Sequence, residues 1–276
     1  MAVIVSLSTS EADWVTRAMQ TLKTDGVLVI ESVVSMDDCA RLRSSAARAL
    51  QSVEGEIGVE RLKRAGESGV IRFPLQFDNA FEILLDRTEV SSLVEGFLSQ
   101  HAICHLMNAI LLRPIQKSER SEEKLFQSQY HRDFPRCLGG KPLSINSFFC
   151  LSDFSERNGS TRFLLGSHQR EDTSAPVGRF QEVSVTAPVG SVIVFDSTIW
   201  HAGGRNSSDA VRAAVNVQWT YHWIKQQLDI PRLLGANPHQ ISSANQKRLG
   251  FHSQVVSSLQ NYYVAQDERL YKSGQG

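Results

Sequence analysis

The sequence predicts a mainly β fold, a sandwich or barrel with helices packed on one outer face. Helical spacing dominates the first hundred residues, strand-like runs dominate from residue 102, and turn signals separate those runs. The chain has 276 residues, 41 % of them hydrophobic, which is enough for one large domain. We therefore expect a single domain over 1–276, with helices mainly at 10–100, a β core at about 102–222 and a C-terminal helical segment at 223–276.

The N-terminal part is expected to be helical around one short buried strand. Apolar residues at helical spacing or after a capping signal predict helices at 11–23, 35–52 and 81–98. The run Ser35-Met-Asp-Asp38 resembles a capping box, in which side chains satisfy the free N–H groups of the first turn. Val27–Ile30 is continuously apolar and predicts the strand. The polar stretch 54–69 is expected to be a mobile loop or a loosely held helix.

Short runs rich in β-branched or aromatic residues predict the strands of the second part. They span residues 102–112, 143–151, 180–185, 191–195 and 213–221. Asn158-Gly159 and Pro188-Val-Gly190 are turn signals between them. In an antiparallel barrel, strands distant in sequence bring their residues to one mouth, where small-molecule sites are common.

Composition and charge argue against several classes of protein. Lys plus Arg and Asp plus Glu number 29 each, so no net positive charge favours nucleic acid or an anionic membrane as partner. The four cysteines have no Cys-x-x-Cys spacing and are expected to be reduced thiols in a cytoplasmic protein. The N-terminal apolar run lacks the features of a signal peptide, and no apolar run is long enough to span a membrane. The sequence leaves the oligomeric state open.

The most informative pattern is His131-Arg-Asp133, followed by His201 and then by Arg212. Two imidazoles and one carboxylate on one face of a ferrous ion form the facial triad of non-haem iron oxygenases. An arginine after the distal histidine suits the carboxylate of 2-oxoglutarate, which a guanidinium binds through two parallel hydrogen bonds. Separately, each residue has an ordinary interpretation: a loop or core histidine, a turn aspartate, a surface arginine.

Longer stretches extend this pattern. Residues 151–168 combine the Asn158-Gly159 turn with Arg-Phe-Leu-Leu-Gly-Ser-His168, and residues 190–203 place a strand before Trp-His201-Ala-Gly. Together with residues 25–30 they resemble the phytanoyl-CoA dioxygenase family of Fe(II)- and 2-oxoglutarate-dependent oxygenases, over about residues 10–225. The resemblance implies a double-stranded β-helix, a cupin-like jelly roll, buttressed by the N-terminal helices.

The resemblance also implies roles for single residues. His131, Asp133 and His201 would ligate Fe(II) as the catalytic centre, and Arg212 would bind the distal carboxylate of 2-oxoglutarate. Further candidates are Thr161, Gln129 and Arg72 for the co-substrate, and Phe134 and Arg136 for the substrate. His168 is expected to support a turn rather than to bind iron, and the aromatic residues 200, 219, 221 and 223 line either the pocket or the core.

The expected reaction is the oxidation of a small organic molecule by dioxygen, with release of succinate and carbon dioxide. Hydroxylation is favoured over halogenation because Asp133 occupies the ligand position that halogenases leave for chloride. Desaturation, epoxidation and rearrangement stay open, as does a place in natural-product biosynthesis. The alternatives are a cupin-like metal enzyme that does not use 2-oxoglutarate, a non-catalytic metal- or ligand-binding protein, and a nucleic-acid demethylase, which the neutral charge disfavours. Segments 54–69 and 114–125 are candidate lids.

Overall fold

The computed structural model describes residues 3–115, 128–135, 137–235 and 241–270. Helices precede most of the sheet residues, as expected. They are α1 (Trp14–Thr24), α2 (Met36–Ile57), α3 (Val59–Arg64), α4 (Thr88–Phe97), α5 (Ile230–Leu234), α6 (Ser243–Arg248) and α7 (Leu259–Tyr262). The Ser35 hydroxyl accepts a hydrogen bond from the Asp38 N–H at 3.1 Å, so the predicted cap of α2 is confirmed.

The strands form one large and one small sheet, together with a hairpin. They are β1 (Ser6–Leu7), β2 (Val27–Ile30), β3 (Val70–Arg72), β4 (Ala102–Leu112), β5 (Cys137–Leu138), β6 (Lys141–Pro142), β7 (Ser144–Cys150), β8 (Arg162–Leu164), β9 (Glu182–Ser184), β10 (Val192–Asp196), β11 (His201–Ala202) and β12 (Arg212–Tyr221). The large sheet has the order β1-β2-β10-β7-β12-β4-β3, the small one β11-β8-β9, and β5 pairs with β6. All five strands predicted after residue 100 are present.

Two apolar clusters hold these layers together. The larger cluster joins the helices to the outer face of the large sheet, where Val215, Val217 and Trp219 of β12 point. The smaller cluster lies between the two sheets and includes Phe148 of β7 and Phe163 of β8. Because successive side chains of a strand point to opposite faces of the sheet, Asn216 and Gln218 of β12 point toward the small sheet. The fold is thus sheet-dominated with flanking helices, and the inner face of the large sheet carries part of the smaller apolar cluster together with other inward-pointing side chains.

The predicted helix 81–98 is wrong as a single element. The chain forms a 3₁₀ helix at Asn79–Leu84 and then the separate α-helix α4. Leu84 and Val90 are both buried. On one continuous α-helix, residues six apart point about 120° away from each other, so the break lets both face the core. Segment 54–69, expected to be a loop or loose helix, contains the end of α2 and all of α3.

Within the described residues, no helix has the length and apolarity needed to cross a bilayer.

Replacing Gly190 by alanine is expected to destabilise the protein by about 1–3 kcal/mol. Gly190 has φ +85°, and a Cβ there would collide with the Val34 carbonyl oxygen. The Gly190 carbonyl accepts hydrogen bonds from the Val33 and Val34 N–H groups, so the backbone does not move aside easily. Gly178→Ala is the matched control, because Gly178 has φ +83° with nothing within 4 Å of the added Cβ. Urea unfolding should show the larger loss for Gly190→Ala; equal losses would mean that the collision costs nothing.

Candidate active site

His131 and His201 are held together by their backbones. The His131 N–H donates to the His201 carbonyl at 2.9 Å, and the His201 N–H donates back to the His131 carbonyl at 3.0 Å. The two residues form an isolated antiparallel β-bridge, and His201 is the first residue of β11. The imidazole centroids lie 4.4 Å apart. The two histidines, 70 positions apart in the chain, are thus adjacent.

A second backbone contact places Asp133 beside them. The Phe134 N–H donates to the Ser197 carbonyl at 3.0 Å, so the chain is anchored to the segment 197–201 on both sides of Asp133. The Asp133 Oδ1 lies 3.5 Å from the His131 Nε2 and 3.6 Å from the His201 Nε2. These three side chains are the only group of this kind found in the described part of the chain.

Both imidazoles direct their Nε2 atom toward the Asp133 carboxylate. The His131 Nδ1 lies 2.8 Å from the Gln129 carbonyl, and the His201 Nδ1 lies 3.0 Å from the Ile199 carbonyl. Because a carbonyl oxygen only accepts hydrogen bonds, each Nδ1 carries the proton. Each Nε2 is left with a lone pair, as a metal ligand requires. Gln129 therefore orients His131 through its backbone, while its side chain is exposed.

Asn146 on β7 orients the carboxylate. Its side chain is hydrogen-bonded to Asp133, and its Nδ2 also donates to the Ser197 hydroxyl at 2.7 Å. Asn216 on β12 donates to the Asn146 Oδ1 at 2.9 Å. Burial raises the pKa of Asp133, but His201, His131 and Asn146 outweigh it, so the net pKa is lowered and the carboxylate is ionised.

The donor set fits Fe(II). Two neutral imidazoles and one carboxylate on one side of a point leave the opposite positions open for other ligands. Zinc sites that are purely structural are closed by four protein ligands, which these residues do not supply.

Arg212 is the first residue of β12, is 4 % exposed, and lines a cavity that the triad also lines. It donates to the Gly159 carbonyl, and its guanidinium lies 4.6 Å over the Phe154 ring. Its Nε is buried without a partner, and no carboxylate pairs with it among the described residues. Burial lowers the pKa of Arg212 to about 10, so it stays cationic at neutral pH. A buried cation with a spare N–H is a site for an anion.

One cavity of about 330 Å³ joins these groups. The triad, Arg212 and Thr161 all line it. The residues match the phytanoyl-CoA dioxygenase (PhyH) family model from 22 to 214.

The chain belongs to the phytanoyl-CoA dioxygenase family. The resemblance seen in the motifs is thereby confirmed, and the chain is a dioxygenase-type enzyme.

Relatives of this family member include uncharacterized proteins and proteins named dioxygenases. It is 40 % identical to the uncharacterized protein Rv1501 of Mycobacterium tuberculosis, covering 91 % of this chain and 92 % of that one. It is 23 % identical to the dioxygenase cdmA of Talaromyces verruculosus, covering 92 % and 89 %. Its fold is similar to that of the epimerase SnoN in complex with Fe3+, alpha ketoglutarate and nogalamycin RO, with a TM-score of 0.60, 15 % identity, and coverage of 76 % and 84 %.

The other candidate residues of this dioxygenase lie at varied distances from the triad. Arg72 lines the cavity, but its guanidinium is paired with Glu67 through two nitrogens. Phe134 lies edge-on to His105, with ring centroids 5.9 Å apart. His168 lies in a 3₁₀ turn with its Nε2 3.2 Å from the Lys23 carbonyl, away from the triad. Arg136 and residues 116–125 of the proposed lid lie outside the described residues.

Sequence reasoning missed the polar inner face of the large sheet. Asn108, Asn216 and Gln218 are polar side chains that line the cavity, and Asn146 touches the carboxylate. The signal was in β12, where Arg212, Asn216 and Gln218 lie even numbers of positions apart and so lie on one face of the strand, with apolar residues between them. A strand that is buried on both faces yet polar on one of them predicts a lined cavity.

Metal affinity of the family member is expected to fall as the pH is lowered from about 8 to about 6. Burial lowers the pKa of His131, but the hydrogen bonds and charge of Asp133 and the Gln129 carbonyl raise it by more. The net pKa of His131 therefore lies above its ordinary value. Below that pKa a proton competes with the metal for Nε2. The loss should therefore begin at a higher pH than for an ordinary histidine. Anaerobic Fe(II) titrations across this pH range check the prediction. An Fe(II) affinity that stays unchanged down to pH 6 would contradict the raised pKa.

Proposed function

We propose that the protein is an Fe(II)- and 2-oxoglutarate-dependent dioxygenase that oxidises a small organic molecule, most simply by hydroxylation. The observation that carries the proposal is one cavity containing both the triad and a buried arginine with an unpartnered N–H. The two facing sheets are those of a double-stranded β-helix in this proposal. Iron, when bound with 2-oxoglutarate and dioxygen, supplies the oxidising power, and succinate and carbon dioxide are released.

The chain's own residues supply position and shelter. His131, Asp133 and His201 hold the metal, with both Nδ1 protons fixed by backbone carbonyls. Arg212 binds the distal carboxylate of 2-oxoglutarate and so sets its direction toward the metal. Thr161, 6 % exposed in the same cavity, offers a hydroxyl along that path. Arg72 and the Gln129 side chain are weaker candidates for the same ligand, since Arg72 is already paired with Glu67.

A cupin-like enzyme without 2-oxoglutarate is the main alternative. Such an enzyme has no use for a buried cation in the same cavity as the triad. Burying an arginine without a carboxylate partner costs free energy, and a bound dianion would offset that cost. The reaction outcome is part of the proposal and depends on where the substrate lies. A protein of similar fold is named an epimerase, which supports keeping outcomes other than hydroxylation open.

The test is an anaerobic titration of the Fe(II)-loaded protein with 2-oxoglutarate, followed by visible absorption. A weak charge-transfer band that saturates, and that is lost in His131→Ala, is the expected result. The matched control is His252→Ala, because His252 lies outside the triad and its cavity. Iron binding without a band would overturn the 2-oxoglutarate assignment, and no iron binding would overturn the metal assignment.

A further inference from the structure

A second and larger cavity adjoins the one that contains the triad. This outer cleft, as we call it, has a volume of about 1640 Å³ and lies between α1, the β5–β6 hairpin and residues 168–173. His131 and Arg132 line both cavities, so the two meet beside the metal ligands. A pocket for one drug-sized ligand spans roughly 300–1,000 Å³. The inner cavity, at about 330 Å³, is at the lower limit and must also contain the co-substrate.

With 2-oxoglutarate bound as proposed above, the inner cavity keeps a further polar end, where Gln218 lies. Gln218 lies six residues after Arg212 on β12, about 20 Å along the strand. A five-carbon diacid that begins at Arg212 and ends at the metal occupies only the first part of that distance. Gln218 is 2 % exposed, and its Nε2 donates to the Ser144 hydroxyl at 3.0 Å. Its amide is therefore held in place where it lines the cavity.

A β-bulge turns His105 toward the same end. Gln218 pairs with Leu106 and Trp219 with Cys104, so His105 is an extra residue in β4. His105 and its neighbour Leu106 consequently both line the cavity, which a regular strand does not allow. The His105 Nδ1 is buried without a partner. Burial lowers its pKa, so the imidazole is neutral and hydrogen-bonds without charge.

The outer cleft is mainly apolar and carries no net charge among its described lining residues. The charges of three cationic and three acidic side chains cancel: Lys23, Arg132 and Arg170 against Glu171, Asp172 and Asp196. Trp223 and Leu138 line it, and their side chains are 58 % and 65 % exposed, so both offer apolar surface to a ligand in the cleft. Trp223 follows β12 by two residues, at the end where Gln218 lies and away from Arg212, and stacks on Tyr221.

We propose that the two cavities form one bipartite substrate site for a neutral, mainly apolar molecule that carries hydrogen-bonding oxygens and exceeds the inner cavity in size. This inference rests on the function proposed above. His105 and Gln218 bind an oxygen of the reacting end, and Trp223 and Leu138 cover the apolar body in the outer cleft. A coenzyme A thioester does not fit this site, because its phosphates need a cluster of unopposed cations.

The proposal is tested by anaerobic equilibrium dialysis of the Fe(II)- and 2-oxoglutarate-loaded protein against four probes. They are testosterone, a four-ring neutral ketone; 1-tetralone, a two-ring ketone; sucrose; and coenzyme A. We expect saturable binding of both ketones, with testosterone at least fivefold tighter, and none of sucrose or coenzyme A. Trp223→Ala should weaken testosterone at least fivefold and leave 1-tetralone unchanged, whereas Gln218→Leu should weaken both. Tyr263→Ala is the control, because Tyr263 is 77 % exposed and outside the cleft.

Several outcomes would overturn the inference. Binding of coenzyme A or sucrose in place of the ketones would show a different substrate class. Equal loss of both ketones in Trp223→Ala, or no loss of either, would show that the cleft does not hold the body of the larger probe. The charge-transfer band is recorded in the same samples. Its presence without ketone binding defeats this inference alone, and its absence defeats the proposed function.

Discussion

Arg212→Met is expected to raise the dissociation constant for 2-oxoglutarate by at least about 30-fold and to leave Fe(II) affinity unchanged. Removing one partner of a buried, hydrogen-bonded charge pair costs about 2–5 kcal/mol, and each 1.4 kcal/mol is tenfold. Arg212 is 4 % exposed and touches no triad residue in the contacts described above. Methionine keeps the length and apolar stem of the side chain, which limits the loss of packing over Phe154. Anaerobic titrations with each ligand measure the two constants separately.

Two further variants sharpen this test. Arg212→Lys keeps the charge but not the paired N–H geometry, so an intermediate loss is expected. Arg41→Met is the control, because Arg41 lies on α2 with its side chain 54 % exposed. Unchanged 2-oxoglutarate affinity in Arg212→Met would mean that Arg212 only supports the turn at Gly159, whose carbonyl accepts its hydrogen bond.

Asp133→Ala is expected to weaken Fe(II) binding by more than about 100-fold and to remove 2-oxoglutarate-dependent turnover. Outer partners of metal ligands typically change affinity 10–100-fold, and the loss of an anionic ligand exceeds that range. Asn146→Ala supplies the comparison, because Asn146 is not one of the three ligands but orients the carboxylate, with further hydrogen bonds to Ser197 and Asn216. Its expected loss falls within 10–100-fold. Anaerobic competition with a chelator ranks the variants; an Asn146→Ala loss as large as that of Asp133→Ala would contradict the assigned roles.

The long strands were predictable because their apolar patterns are long enough to read. All five predicted strands are present, and the residues of the triad meet as the motif implied. Among the short strands, β9 lies within the predicted run 180–185, whereas β8 and β11 were not predicted, since two or three residues show no periodicity of their own. Their pairing nevertheless decides the site, because β11 carries His201.

Other features depend on contacts that chain order does not reveal. The bulge at His105 exists only relative to the pairing of β4 with β12. The support of Asp133 by Asn146 joins a loop to a strand that follows it after the hairpin, and no local pattern marks that contact. The break between residues 84 and 88 follows from which side chains the core accepts, which local helix propensity does not show.

The reciprocal backbone bridge between His131 and His201 has an evolutionary consequence. The spacing of the two ligands is set by main-chain hydrogen bonds, which any side chain leaves in place. The 69 residues between them include the hairpin and the segment 168–173 that border the outer cleft. Those parts are therefore free to diverge without disturbing the metal geometry. Changes confined to this loop region can therefore alter the outer cleft while His131 and His201 stay adjacent.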